Sequence, residues 1–218
     1  MSWISNHLSL VQNISAPPIP LKFHMIWVGD TPIPEYVSRN FLSWKRLMPH
    51  WEARLWLNND INSDEFSQEV IEKIHLAQKG AQKADIMRYH IIEKYGGFYI
   101  DTDTIAIRSL DPIVYMGFDL VVYHDNFVTW NYICNSPFGA CPHHPVLKEA
   151  CKRVMNAELN TSDVNMKTGP LLWGTIISQI EPENGKKYLL LDYPLFSNFH
   201  NPPGKFGTHT YAASWVNN

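Results

Sequence analysis

The stretch ADIMRYHIIEKYGGFYIDTDTIAIRSLDPI, Ala84–Ile113, decides how this 218-residue chain is read. Ala84, Met87, Ile91 and Tyr95 recur at helical spacing and predict a helix with one apolar stripe. Gly96-Gly97 predicts its end, because glycine adopts the backbone conformation that closes a helix. Phe98–Ile100 is short and apolar, as buried strands are, and Asp101-Thr102-Asp103 stands at its carboxyl end. Open α/β sheets bind ligands outside the carboxyl ends of their strands, so this carboxylate pair is placed for chemistry.

Asp101 and Asp103 lie at i and i+2, which puts both side chains on one face of an extended segment. Two carboxylates about 5 Å apart repel by roughly 3 kcal/mol at an effective dielectric of 20. A divalent cation removes that cost, and hard oxygen ligands suit Mn²⁺ or Mg²⁺, which could then neutralise a diphosphate. The plain alternative is a pair of solvated turn carboxylates. A calcium loop is excluded, since its fifth and sixth positions would be Ile105 and Ala106 in place of an oxygen ligand and glycine. Asp85 and Arg88 sit one helical turn apart. By themselves they fit a surface ion pair worth about 0.2–0.5 kcal/mol, or a pair that binds sugar hydroxyls beside the metal.

Working outward toward the N-terminus, Phe23–Val28 reads as a buried strand closed by Gly29-Asp30. Val37, Phe41, Trp44 and Met48 then mark a helix stopped by Pro49, and Trp51–Leu57 alternates as a second strand. Strand, helix and strand of these lengths predict a parallel α/β unit. Toward the C-terminus, Leu120–His124 and Tyr188–Leu191 read as strands, and Val146–Met155 and Leu171–Ile180 as helices. Residues 1–19 form a polar arm, and 196–218 an aromatic tail without regular pattern, expected to close over the site.

The chain carries 18 Lys and Arg against 21 Asp and Glu, with no block of like charge. A nucleic-acid-binding protein normally carries a basic face, so the charge balance argues against that class. Cys134, Cys141 and Cys151 have no paired spacing, which argues against a disulfide framework, and with His143 and His144 they fit no common zinc pattern. No signal peptide and no apolar run of membrane-spanning length is visible, and a cytoplasmic chain is expected. Asn13-Ile14-Ser15 and Asn160-Thr161-Ser162 match the glycosylation pattern, which means little without a secretory signal.

The ordered set in Ala84–Ile113, an Asp and Arg on a helix, then YGG, an apolar strand and DxD, resembles the signature of glycosyltransferase family 32. FHMIWVGDTPIP (Phe23–Pro34) is similar to that family's strand motif, and Tyr193-Pro194 and HTYAASW (His209–Trp215) are similar to its C-terminal end. The resemblance implies a GT-A fold: a single nucleotide-sugar-binding domain spanning 1–218, with a mostly parallel central sheet flanked by helices. It implies a metal-dependent enzyme that moves a hexose with retention of configuration to a glycan acceptor, as in polysaccharide biosynthesis. By analogy with the related glucosylating toxins, Trp27 would stack on the nucleobase, with core packing as its plain alternative. Val28, Tyr89 and Thr102 would line the donor site. Asp85 and Arg88 would hold the donor sugar. Asp101 would contact ribose or metal-bound water, Asp103 and His209 would ligate Mn²⁺ or Mg²⁺, and Ser214 and Trp215 would close over the diphosphate. Asn135 matches a family residue on the acceptor side. The toxin-like elements favour a UDP-sugar donor, with GDP-mannose as the alternative.

Two rival readings compete. FYIDTDTI also resembles the first motif of haloacid-dehalogenase-type phosphatases, in which the leading Asp is the nucleophile. Here about a hundred residues precede it and no GDxxxD-type element follows. A silent sugar-nucleotide or glycan-binding module on the same fold is the other, and the intact set Asp85, Arg88, Asp101, Asp103 and His209 argues against it.

Overall fold

Phe23 and Met25 alternate with His24 along β1 (Lys22–Ile26), and this period of two runs through every long strand and builds two cores. The structure is a computed structural model that describes residues 16–62, 64–124, 133–160, 163–180, 187–192, 195–197 and 204–210. After β1 come α1 (Glu35–Leu47), β2 (Glu52–Trp56), α2 (Asn58–Ile61), α3 (Gln68–Leu76) and α4 (Gly80–Tyr95). Next are β3 (Gly97–Tyr99), β4 (Thr104–Ala106), α5 (Asp111–Val114), β5 (Leu120–His124) and β6 (Ile133–Ala140). The chain continues through α6 (Pro145–Asn156), α7 (Val164–Lys167), α8 (Pro170–Gln179), β7 (Tyr188–Asp192), β8 (Phe196–Ser197) and β9 (Gly207–His209).

Six strands form one sheet in the order β2-β1-β3-β6-β5-β7. β1 pairs in parallel with β2 and β3, and β5 with β7, while β6 runs antiparallel to both of its neighbours. The expected mostly parallel sheet is therefore present, with one reversed strand in its middle. Tyr99, Leu120 and Val122 face α4, α6 and α8 on one side. Phe98, Val121 and Tyr123 face α1 and α5 on the other. Trp44, Trp56 and Trp173 are fully buried and fill the core.

The elements expected around 23–57 and 84–100 form close to their predicted limits. Gly96, at φ +63°, turns the chain out of α4 and into β3, a conformation that side-chain-bearing residues rarely adopt. Three differences stand out. The polar arm ends earlier than expected, because Ile19 is fully buried with Phe23 and Trp44. β6 was not expected from the sequence. Gly139 stands where a Cβ would come within 2.6 Å of the Phe98 ring, so its missing side chain is what lets β3 and β6 pack.

The third difference is the tail, which is not patternless. β8 and β9 join β4 in a second sheet of order β4-β9-β8, in which Thr104 pairs with His209. The segment that follows the DxD motif is thereby bonded directly to the C-terminal segment.

Candidate active site

Asp101 and Asp103 occupy the turn between β3 and β4, closed by the Thr104 N–H donating to the Asp101 carbonyl at 3.0 Å. α1 clamps this turn from the side. Asn40 Nδ2 donates to the Thr102 carbonyl at 2.9 Å, and Trp44 Nε1 to the Thr104 carbonyl at 3.0 Å. From β6, Ser136 Oγ accepts the Asp101 N–H at 2.8 Å. The C-terminal sheet completes the enclosure, with Thr210 N–H and Oγ1 both donating to the Asp103 carbonyl.

His209 Nε2 lies 3.0 Å from Asp103 Oδ1 and 3.5 Å from Asp101 Oδ2. Burial alone would lower the His209 pKa, but the two carboxylates outweigh it and push it up to about 10. Burial works to raise the Asp101 pKa, yet the Arg88 guanidinium and His209 hold it below the ordinary carboxylate range. Each of Asp101, Asp103 and His209 offers one ligand atom, and the three atoms lie within 4.8 Å of one another. Two hard oxygens and one imidazole at that spacing fit a divalent ion such as Mn²⁺ or Mg²⁺. A proton on His209 bridges the two carboxylates in the position such an ion would take.

The Asp85–Arg88 pair is not on the surface. Both side chains are 7% exposed, with Arg88 Nη2 3.0 Å from Asp85 Oδ1. Arg88 Nη1 donates to the Asn135 carbonyl at 2.9 Å and lies 3.6 Å from Asp101 Oδ1, while its plane covers the Tyr99 ring. Tyr99 in turn donates its hydroxyl to Asp101 Oδ1 at 2.8 Å. Burial pushes the Asp85 pKa up, and Arg88 opposes that shift. Arg88 thus links the helix pair to the DxD turn through one guanidinium.

Asn135 stands on the Asp85 side of the site. Its Nδ2 donates to Asp85 Oδ1 at 2.9 Å and lies 3.2 Å from the Tyr89 hydroxyl. The reason is local. Val121 pairs with Gly139 but Tyr123 pairs with Cys134, so β6 carries extra residues between these points. Such a bulge re-aims side chains, and here Asn135 turns toward Asp85 and Ser136 toward Asp101.

The remaining expected residues divide. Trp27 is half-buried just beyond β1, donating to the Thr31 carbonyl at 3.3 Å and meeting Tyr36 edge-on, outside both cores. Val28 is buried, and Thr102 is 8% exposed with its carbonyl held by Asn40. Tyr89 is fully buried. Tyr193, Pro194, Ser214 and Trp215 lie outside the described residues. Ser136, Tyr99 and Thr168 were not expected from the sequence. Tyr99 alone had a signal there, as an aromatic two positions before Asp101.

A family model described as "Glycosyltransferase sugar-binding region containing DXD motif" matches residues 34–117. The chain is 28% identical over 170 residues to an uncharacterized glycosyltransferase of Acanthamoeba polyphaga mimivirus, covering 76% of this chain and 67% of that protein. It is 26% identical to a mannosyl phosphorylinositol ceramide synthase of Saccharomyces cerevisiae, covering 93% and 54% of the two chains. To an inositol phosphoceramide mannosyltransferase of Schizosaccharomyces pombe it is 27% identical, covering 90% and 62%. The chain thus spans about half to two thirds of the length of these curated relatives. Among solved structures, the PaToxG glycosyltransferase superposes with a TM-score of 0.63 at 18% identity, covering 74% of this chain and 69% of that one. These matches bear out the fold and the resemblance expected from the sequence, and several of the relatives are named as glycosyltransferases or mannosyltransferases.

Proposed function

We propose that this chain, which carries the DXD sugar-binding region of glycosyltransferases, moves a hexose from a nucleotide-sugar to a glycan acceptor, with retention and with the help of a divalent metal. The observation that carries this reading is the convergence of Asp101, Asp103 and His209 beside the buried Asp85–Arg88 pair. Residues 1–218 act as one donor-binding unit, with the tail from 196 closing it.

Asp101, Asp103 and His209 would hold the ion, with Mn²⁺ as the first choice and Mg²⁺ the second. Bound there, it would stabilise negative charge on the leaving diphosphate. Asp85 and Arg88 orient the sugar, Trp27 takes the base, and Ser214 and Trp215 cover the diphosphate. Asp85 Oδ1 is already engaged by Arg88 and Asn135, and Oδ2 by Thr168. A carboxylate so engaged is suited to binding and not to attack. The family resemblance implies substitution from the front face, with the leaving phosphate accepting the acceptor's proton. A phosphatase would instead need Asp101 free as nucleophile, whereas Tyr99, Arg88 and His209 all hold it.

A UDP-sugar is the first donor to test. GDP-mannose is the second, because several relatives are named as mannosyltransferases. Thermal unfolding with Mn²⁺ and UDP, GDP or CMP added singly distinguishes these. A nucleotide at 100 times its dissociation constant adds about 2.7 kcal/mol, a rise of roughly 5–10 °C at this size. The expected result is a metal-dependent shift with one nucleotide, followed by release of that nucleotide from its sugar conjugate. No shift with any nucleotide overturns the reading, and a shift without turnover makes the chain a silent binding module.

A further inference from the structure

Asp85 offers about four acceptor directions as a carboxylate. Arg88 Nη2 and Asn135 Nδ2 fill the two on Oδ1, at 3.0 and 2.9 Å. On Oδ2 one is filled, by Thr168 Oγ1 at 2.9 Å, which leaves a single direction open among the described residues. Thr168 is fully buried and lies between α7 and α8, 83 positions from Asp85 in the chain. Its N–H donates to the Val164 carbonyl at 2.9 Å, and its own carbonyl accepts the Tyr89 hydroxyl at 3.0 Å. Both its carbonyl and its hydroxyl are therefore fastened to α4, the helix that carries Asp85. Valine has the same shape and would fill the same space, so packing alone does not call for the hydroxyl. What the hydroxyl adds is a charge-assisted hydrogen bond that fixes how Asp85 is turned about its terminal torsion.

We infer that Thr168 is a positioning residue for the donor sugar: its hydroxyl, bonded to Asp85 Oδ2, aims the one open acceptor direction of that carboxylate at a sugar hydroxyl. This rests on the reading of Asp85 as a donor-sugar ligand. Thr168 acts on the sugar half of the donor, since its carbonyl meets Tyr89 and its hydroxyl meets Asp85 at 2.9 Å, closer than the Val164 carbonyl at 3.3 Å.

The test compares a nucleotide-sugar with its bare nucleotide. Titration calorimetry with Mn²⁺ measures UDP-glucose against UDP, and GDP-mannose against GDP, on wild type, Thr168→Val and Thr168→Ser. The expected result is that Thr168→Val loses about tenfold or more in affinity for the nucleotide-sugar that wild type binds. The matching nucleoside diphosphate stays within about twofold, and Thr168→Ser returns the sugar conjugate to within about threefold of wild type. If Thr168→Val does not fold by circular dichroism, Thr168→Cys, a weaker donor of similar size, is measured the same way. Unchanged binding of both ligands, or equal loss of both without rescue by Ser, overturns the inference and leaves the proposed function standing. A wild type that binds neither nucleotides nor their sugar conjugates overturns both.

Discussion

Asp103→Asn keeps the shape of the side chain and removes its charge, which separates the electrostatic role of the DxD turn from its architecture. The turn itself is held by main-chain carbonyls of Asp101, Thr102, Asp103 and Thr104, none of which the substitution touches. The variant is expected to fold, as judged by its circular dichroism, while donor turnover with Mn²⁺ falls by about a hundredfold or more. Asn135 gives the opposite contrast, because its side chain faces a buried carboxylate. Asn135→Ala removes two hydrogen bonds and is expected to cost about 1–3 kcal/mol. Asn135→Asp puts a second carboxylate against Asp85 and should lower the melting temperature further than alanine does. A smaller loss for Asp than for Ala would show that Asn135 does not bond Asp85. At this scale Asp85, Arg88, Asp101, Asp103 and His209 were all visible as chemistry-bearing residues. Thr168 and Ser136 were not, because a hydroxyl has no signature until the fold brings it to a carboxylate or an amide many positions away.

The elements were legible where one face repeats. α1, β1, β2 and α4 carry unbroken apolar periods, and β5 and β7 are short apolar runs. β6 was hidden because Gly139 serves the Phe98 ring and Pro137 lies where β5 does not pair, so neither obeys strand statistics. β9 is three residues long and gains its place only by pairing with β4. β1 supports a prediction about pH. His24 is buried, with Nε2 against the Gly96 carbonyl at 3.2 Å and Trp56 Nε1 donating to Nδ1 at 3.2 Å. A second ring proton would oppose the Trp56 N–H. Burial, resisted by the Gly96 bond and by Glu52, lowers the His24 pKa to about 4, against an ordinary 6.5. The unfolded chain therefore takes up this proton first, so the stability contribution is complete above pH 6.5 and is lost as pH falls toward 4. By pH 5 the loss is about 2 kcal/mol, or roughly 4–8 °C. Burial lowers the His90 pKa to about 4 as well and adds a loss of its own. Melting curves from pH 7 to 5 should therefore fall in wild type and fall less, by about the His24 amount, in His24→Gln. Parallel curves for the two proteins would show that His24 is not the group responsible.

The two sheets meet at the candidate metal site, and this sets the last prediction. Asp101 ends the strand line of the six-stranded sheet, whereas His209 belongs to β9 of the three-stranded one. An ion held by both sides ties the C-terminal segment to the body of the molecule. Without it, the two carboxylates push the His209 pKa up to about 10, and the protonated ring ties His209 to Asp101 and Asp103 in place of the ion. The main-chain pairing of Thr104 with His209 and of Ala106 with Gly207 remains in either case. Chelation should therefore loosen the segment without unfolding the chain. Limited proteolysis followed by mass spectrometry is expected to cut wild type within 204–210 faster in EDTA than in Mn²⁺. His209→Ala loses both ties at once, so it should be cut fast in either condition, and Mn²⁺ should protect it little. Equal cutting of wild type with and without Mn²⁺ would mean that no ion bridges the two sheets, and the transfer chemistry would have to rest on Arg88 and the tail alone.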